Sequence, residues 1–250
     1  MADITLEEFE RTKKIADIVK KTAGYIVLSA IGVVMILPFI WMLSTSLKEA
    51  GAVFTFPPEW IPKPFVFSNY ADAWNAVPFA RFFFNSIFVA VCVTIGQVTT
   101  ASLAAYAFAR LQFPGRDNLF LAYLATMMIP GQVTMIPVFI LLKKLGWIDT
   151  YYALILPQMF TAYGTFMLRQ FFLTIPKEVE EAAVMDGCTR LTVYWKIILP
   201  LSMPALATLS TFVFLGAWNE FMWPLIVTNS MDMKTLPVGL ASFQGLYTTD

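Results

Sequence analysis

Five stretches of the chain, residues 25–47, 82–109, 119–142, 151–168 and 197–219, carry no charge or almost none. Each is long enough for a helix to cross a hydrocarbon core of about 30 Å. None shows the strict alternation of an outer-membrane barrel strand, and several are far longer than such strands. The pattern predicts an all-α, polytopic transmembrane helical bundle with five spans. Around them the polar segments divide the chain into a tail over 1–23, a first span over 24–47, a connecting loop over 48–81 and a core over 82–250. In the tail, Leu6, Phe9, Ile15, Ile18 and Val19 form an imperfect apolar stripe, which suits either an interfacial helix or an extension of the first span. The loop holds Pro57, Pro58, Pro62 and Pro64 among Phe54, Phe56, Trp60, Phe65, Phe67, Tyr70 and Trp74, a composition that predicts a folded cap at the membrane surface.

Proline and glycine mark the third and fifth runs as irregular. Pro130, Gly131 and Pro137 interrupt the third, and Pro200, Pro204 and Pro224 mark the fifth. Backbone groups freed inside a bilayer need protein or a water-lined cavity around them, so these breaks fit either a translocation path or kinks packed on neighbouring helices. Gln132 and Thr134 beside Pro130 are candidate lining residues.

Between the fourth and fifth runs lies a polar hairpin over 174–198. Its first arm carries Glu178, Glu180 and Glu181 in the early turns, where carboxylates favour the helix dipole, and stops at Asp186 and Gly187. Gly187 suits a helix end that needs positive φ. Ala182 and Ala183 lack bulk and would let a partner's backbone approach, while the second arm, from Thr189, runs into Leu199, Pro200 and Pro204.

Composition agrees with a membrane protein: 58% of residues are hydrophobic and only 14% charged. With the amino terminus inside, eleven of the seventeen Lys and Arg residues fall on inner segments, which places the hairpin in the cytoplasm. Net charge is zero and no basic cluster is interleaved with aromatics, so nothing calls for a nucleic acid. Cys92 lies within a span and Cys188 in the hairpin, which predicts free thiols. The first apolar run begins only after the charged tail and reads as a retained span.

The usual enzyme chemistry has no residues to run on. There is no histidine, no grouped cysteine and no Gly-Lys pair for a phosphate-binding loop. Glu220, in GAWNEFMWPLIV, is the one strongly placed ionisable group inside a span, and an intramembrane carboxylate is a candidate functional site. Asn219 beside it offers hydrogen bonds, and Trp218 and Trp223 offer faces for a sugar ring. The alternatives are that Glu220 meets a neighbouring subunit or holds a gate and that the tryptophans form an interfacial belt.

Glu181, Ala182, Ala183, Asp186, Gly187, Ile198, Leu199, Pro200 and Pro204 together resemble the loop of binding-protein-dependent ABC sugar importer permeases. Asn69 and Tyr70, Asn85 and Ser86, and the stretches 104–110, 129–137 and 218–224 resemble the smaller, six-span permease subunit of maltose-type importers. The resemblance implies a type I permease fold, with a sixth span beyond Asp250, in a bacterial or archaeal cell membrane. It also implies a second homologous permease, a sugar-binding protein on the outer cap, and a cytoplasmic ABC ATPase dimer holding ATP and Mg. This chain would itself bind no cofactor and catalyse nothing. On that reading Glu181 meets basic or polar groups of the ATPase, Ala182 and Ala183 admit it closely, and Asp186 with Gly187 fixes the hairpin angle. An ion- or proton-coupled transporter using Glu220 is the alternative.

Overall fold

The computed structural model describes residues 6–53 and 55–246, so Phe54 of the expected cap and the side chains of Leu6 and Phe9 lie outside it. Chain contacts separate residues 1–73 from residues 74–249, and each unit is described by itself.

In the first unit α1 (Leu6–Ser46) runs unbroken into the first apolar run, so residues 6–23 of the charged tail extend the span. Its 41 residues reach about 60 Å. The apolar side chains of its central turns are exposed all round, as a helix facing lipid or a partner requires. Its end is capped by the loop that follows. Asn69 Nδ2 donates to the carbonyls of Ser46 and Lys48 at 3.0 and 2.8 Å, and Ser46 Oγ lies 2.7 Å from Tyr70 Oη. Ser44 Oγ donates to the Trp60 carbonyl at 2.6 Å, and the buried Lys48 ammonium sits 4.4 Å from the centre of the Trp41 ring. Asn69 and Tyr70 lie in the first turn of α2 (Ser68–Ala76), among the described residues the only helix of this connection longer than a single turn.

The second unit is organised around α3 (Phe79–Arg110), which begins three residues before the expected span. Among the described residues two helices are unbroken and long and apolar enough to cross a membrane, Lys13–Ser46 within α1 and Phe79–Arg110; two bent pairs bring the count to four if each is one span. The five runs read from composition are thus real as apolar segments but are not five straight helices. The third bends by 96° between α4 (Arg116–Ala125), continued by a 3-10 turn, and α5 (Gly131–Lys144), with Pro130 at the break. Pro137, expected to interrupt this run, lies inside α5, which continues through it. The fourth run splits into α6 (Tyr151–Ile155) and α7 (Ala162–Thr174), because Pro157 has no N–H to continue the helix. Two α3 side chains cover carbonyls exposed by that break: Gln97 Nε2 donates to Gln158 O at 2.7 Å and Thr100 Oγ1 to Met159 O at 2.6 Å.

Beyond α7 the hairpin comprises α8 (Lys177–Met185), α9 (Arg190–Val193), a π-helical turn over Tyr194–Ile198 and α10 (Leu199–Leu201). It meets α11 (Met203–Asn219) at a bend of 78°, with the break at Ser202 rather than at Pro200. Then come α12 (Met222–Val227), a 3-10 turn over Met231–Met233 and α13 (Leu236–Leu246).

Small residues let these helices close. Ala101, Ala105 and Ala109 recur every four residues along α3 and pack with Leu168 and Phe172 of α7 and Leu209 of α11. A Cβ on Gly164 of α7 would stand 3.3 Å from the Ala101 Cβ, so the bare backbone fits where a larger residue would not. At the other end of α3, the fully buried Asn85 donates to the carbonyls of Asp232 and Lys234, both at 2.8 Å, and accepts from Tyr151 Oη at 2.6 Å. Ser86 Oγ accepts from Leu236 N at 2.7 Å. Replacing Asn85 by Leu strips partners from buried polar groups, and we expect a loss of about 2 kcal/mol in denaturant unfolding of the purified protein.

Candidate coupling hairpin and pathway lining

The hairpin turn is set by hydrogen bonds that need Gly187. With Asp186 closing α8, the Cys188 N–H reaches Ala183 O at 2.9 Å and the Gly187 N–H reaches Val184 O at 3.0 Å, a Schellman termination. Gly187 sits at φ +85°, and a Cβ there would touch nothing within 4 Å. The constraint on residue 187 is therefore its backbone conformation and not space. Thr189 starts the second arm, its Oγ1 accepting from Thr192 N at 3.2 Å.

Helix geometry splits the expected docking residues. Glu181, Ala182, Asp186 and Gly187 are exposed, as are Val179, Val184 and Met185. Ala183 is turned inward, 8% exposed and packed into the α3–α7 core. This corrects the expectation that Ala182 and Ala183 share a face, since adjacent helical residues point about 100° apart. Leu199 packs half-buried against the same core and Pro200 is exposed.

What fastens the hairpin is a pair that sequence reasoning left unpaired. Arg110, the last residue of α3, lies 2.8 Å through Nε from Glu180 Oε1, the two side chains being 3% and 7% exposed. Through Nη2 it also donates to the Phe172 carbonyl and, at 2.6 Å, to that of Ile175, where α7 ends. One guanidinium thus ties together the ends of α3 and α7 and the first turn of α8. Burial pushes the Glu180 carboxyl above its usual range, and Arg110, Arg190 and Lys177 offset only part of this. Two hydroxyls of α3 and the second arm complete the attachment: Tyr106 Oη donates to Arg190 O at 3.1 Å, and Ser102 Oγ lies 2.7 Å from Tyr194 Oη.

Four of the six candidate pathway residues converge. Gln132, Thr134, Glu220 and Trp223 line a cleft of about 470 Å³ beside the Pro130 and Pro157 breaks. Glu220 ends α11 and caps α12, its Oε1 accepting from Trp223 N at 3.1 Å, while Trp223 Nε1 donates to Ala153 O at 2.9 Å. Trp218 lies outside this cleft, stacked 6.1 Å from Phe214, and Asn219 donates back to Leu215 O at 2.8 Å. A second cleft, of about 350 Å³, contains Gln97, Tyr163 and Gly216 and shares Gln158 and Glu220 with the first. Gln158 was not among the sequence candidates, although its place beside Pro157 was a usable signal. At the far end of α3, burial raises the Asp149 carboxyl, but N–H donation from Asn229 and Ser230 outweighs it and holds the group below its usual range.

An all-helical fold with broken, apolar helices, a polar-lined cleft and a hairpin fastened to α3 fits a membrane permease subunit. Residues 19–248 match the model of the family described as the binding-protein-dependent transport system inner membrane component, and the chain belongs to that family. The sn-glycerol-3-phosphate transport system permease protein UgpE of Yersinia enterocolitica is 36% identical over 86% of this chain and 79% of its own length. The arabinooligosaccharides transport system permease protein AraQ of Halalkalibacterium halodurans is 35% identical over 88% and 79%. The diacetylchitobiose uptake system permease protein DasC of Streptomyces coelicolor is 32% identical over 85% and 78%. Among solved structures, a bacterial ABC transporter involved in the import of the acidic polysaccharide alginate superposes with a TM-score of 0.80 at 24% identity, covering 93% of this chain and 81% of that one. That likeness concerns the fold. Family membership supports an ATP-driven importer subunit and not the ion-coupled alternative.

Proposed function

We propose that the protein forms half of the translocation pathway of an ATP-driven carbohydrate importer and receives the power stroke through the exposed side of α8. The observation that carries this reading is the two-sidedness of the hairpin. Its inner side is tied to α3 by Arg110 and Glu180, and its outer side exposes Glu181, Ala182, Asp186 and Met185. A movement imposed outside is thereby delivered to a helix that crosses the bilayer. The partners on this reading are a second permease of the same family, a cytoplasmic ATPase dimer holding ATP and Mg, and an extracytoplasmic binding protein on the aromatic cap. The amino terminus and hairpin are cytoplasmic. The substrates named for UgpE, AraQ and DasC, a glycerol phosphate and short saccharides, support a small polyhydroxylated solute.

The test is reconstitution of the full complex in vesicles with candidate binding proteins. ATP hydrolysis should rise with one loaded binding protein, and uptake should require ATP. Uptake driven by a proton gradient without ATP would overturn the proposal. Glu220 is a gate and capping residue here, so Glu220→Gln, which keeps an oxygen acceptor for Trp223 N–H, should reduce uptake less than tenfold, while Glu220→Ala should also lose about 1 kcal/mol of stability with the cap.

A further inference from the structure

Behind α8 lies a cavity of about 310 Å³ whose walls are strongly basic. Arg110 comes from α3, Arg116 from α4, Arg169 from α7, Lys177 from α8 and Arg190 from α9. Against these five cations the lining has two carboxylates, Glu180, already paired with Arg110, and Glu181. Arg116 pairs with the neighbouring Asp117 at 2.8 Å. Among the described residues, Arg169, Lys177 and Arg190 form no salt bridge. Arg169 is nevertheless positioned: its guanidinium lies 4.3 Å from the centre of the Phe120 ring and its Nε donates to Phe108 O at 3.3 Å. Convergence of unpaired cations from separate helices is costly in the absence of a counter-charge.

The site also sits where a bilayer surface belongs. It opens at the end of the membrane-length α3, and Leu173, 44% exposed, shares its wall, so an apolar surface runs directly into the cationic one. A headgroup phosphate with acyl chains beside it meets both. A protein carboxylate would use the cations but not the apolar edge.

We propose that this cavity is an anion site for a phosphate group, supplied by the phosphodiester headgroup of an anionic membrane lipid, which braces α8 and α9 against α4 and α7. Native mass spectrometry of the full chain released from discs of equal phosphatidylglycerol and phosphatidylcholine tests this. Phosphatidylglycerol should be retained preferentially, and K177Q/R190Q, both at exposed positions, should lower that retention about tenfold or more. Arg116→Gln, on a different helix, should lower it as well. Retention that survives millimolar inorganic phosphate supports the lipid source. Equal retention of the two lipids, retention unchanged in both variants, or filling by inorganic phosphate with no preference for phosphatidylglycerol would overturn the proposal. So would variants that lose only ATPase co-purification, which would mark the cluster as a protein-docking surface. None of these readouts depends on transport.

Discussion

Arg110→Ala is expected to destabilise the purified protein by about 3 to 5 kcal/mol, because it leaves the Glu180 carboxylate buried with its principal counter-charge removed. The same substitution uncaps the carbonyls of Phe172 and Ile175, so the end of α7 loosens with the first turn of α8. Glu180→Ala should cost a comparable amount through the orphaned guanidinium. Arg110→Lys keeps the charge but replaces a fork that serves three acceptors with a point charge, and should fall between wild type and Arg110→Ala. The double variant Arg110→Ala with Glu180→Ala should lose less than the sum of the singles, since neither partner is left alone. Denaturant unfolding in detergent measures all four. If Arg110→Ala and Glu180→Ala both unfold like wild type, the clasp between hairpin and α3 is not a source of stability.

That clasp also shows where sequence reasoning stopped. Glu180 was legible as a carboxylate favoured by a helix N-terminus and Arg110 as one of several inner cations, each by a local rule. Their pairing joins helices far apart in the chain and leaves no trace in hydropathy or spacing. The apolar runs themselves were legible, and so was the stop at Gly187, because a left-handed helix end has a residue signature. Breaks were read less well, since proline marks where a helix is able to bend and packing decides whether it does. Pro130 breaks its run and Pro137 does not. The orientation of Ala183 was within reach, because two neighbours on one helix do not share a face.

The alanine pair separates docking from folding. Ala183→Asp would drive a carboxylate into the core formed with Leu168 and Phe172, at a cost on the order of 4 kcal/mol, so loss of ATPase association in that variant would say nothing about docking. Ala182→Asp places the same charge on the exposed side of α8, where surface substitutions change stability by only about 0.5 kcal/mol. Its unfolding midpoint should match wild type while co-purification of the ATPase, or binding-protein-stimulated hydrolysis, is lost. Gly187→Val tests the angle: nothing obstructs the new side chain, but a β-branched residue at φ +85° is strained by about 1 to 3 kcal/mol, relieved by reopening the turn. That variant should keep α8 docked on α3 through Arg110 and still couple poorly, because the second arm swings relative to the first. Full import and normal ATPase association in both Ala182→Asp and Gly187→Val would remove α8 and its turn from the coupling route, whatever Arg110 contributes to the fold.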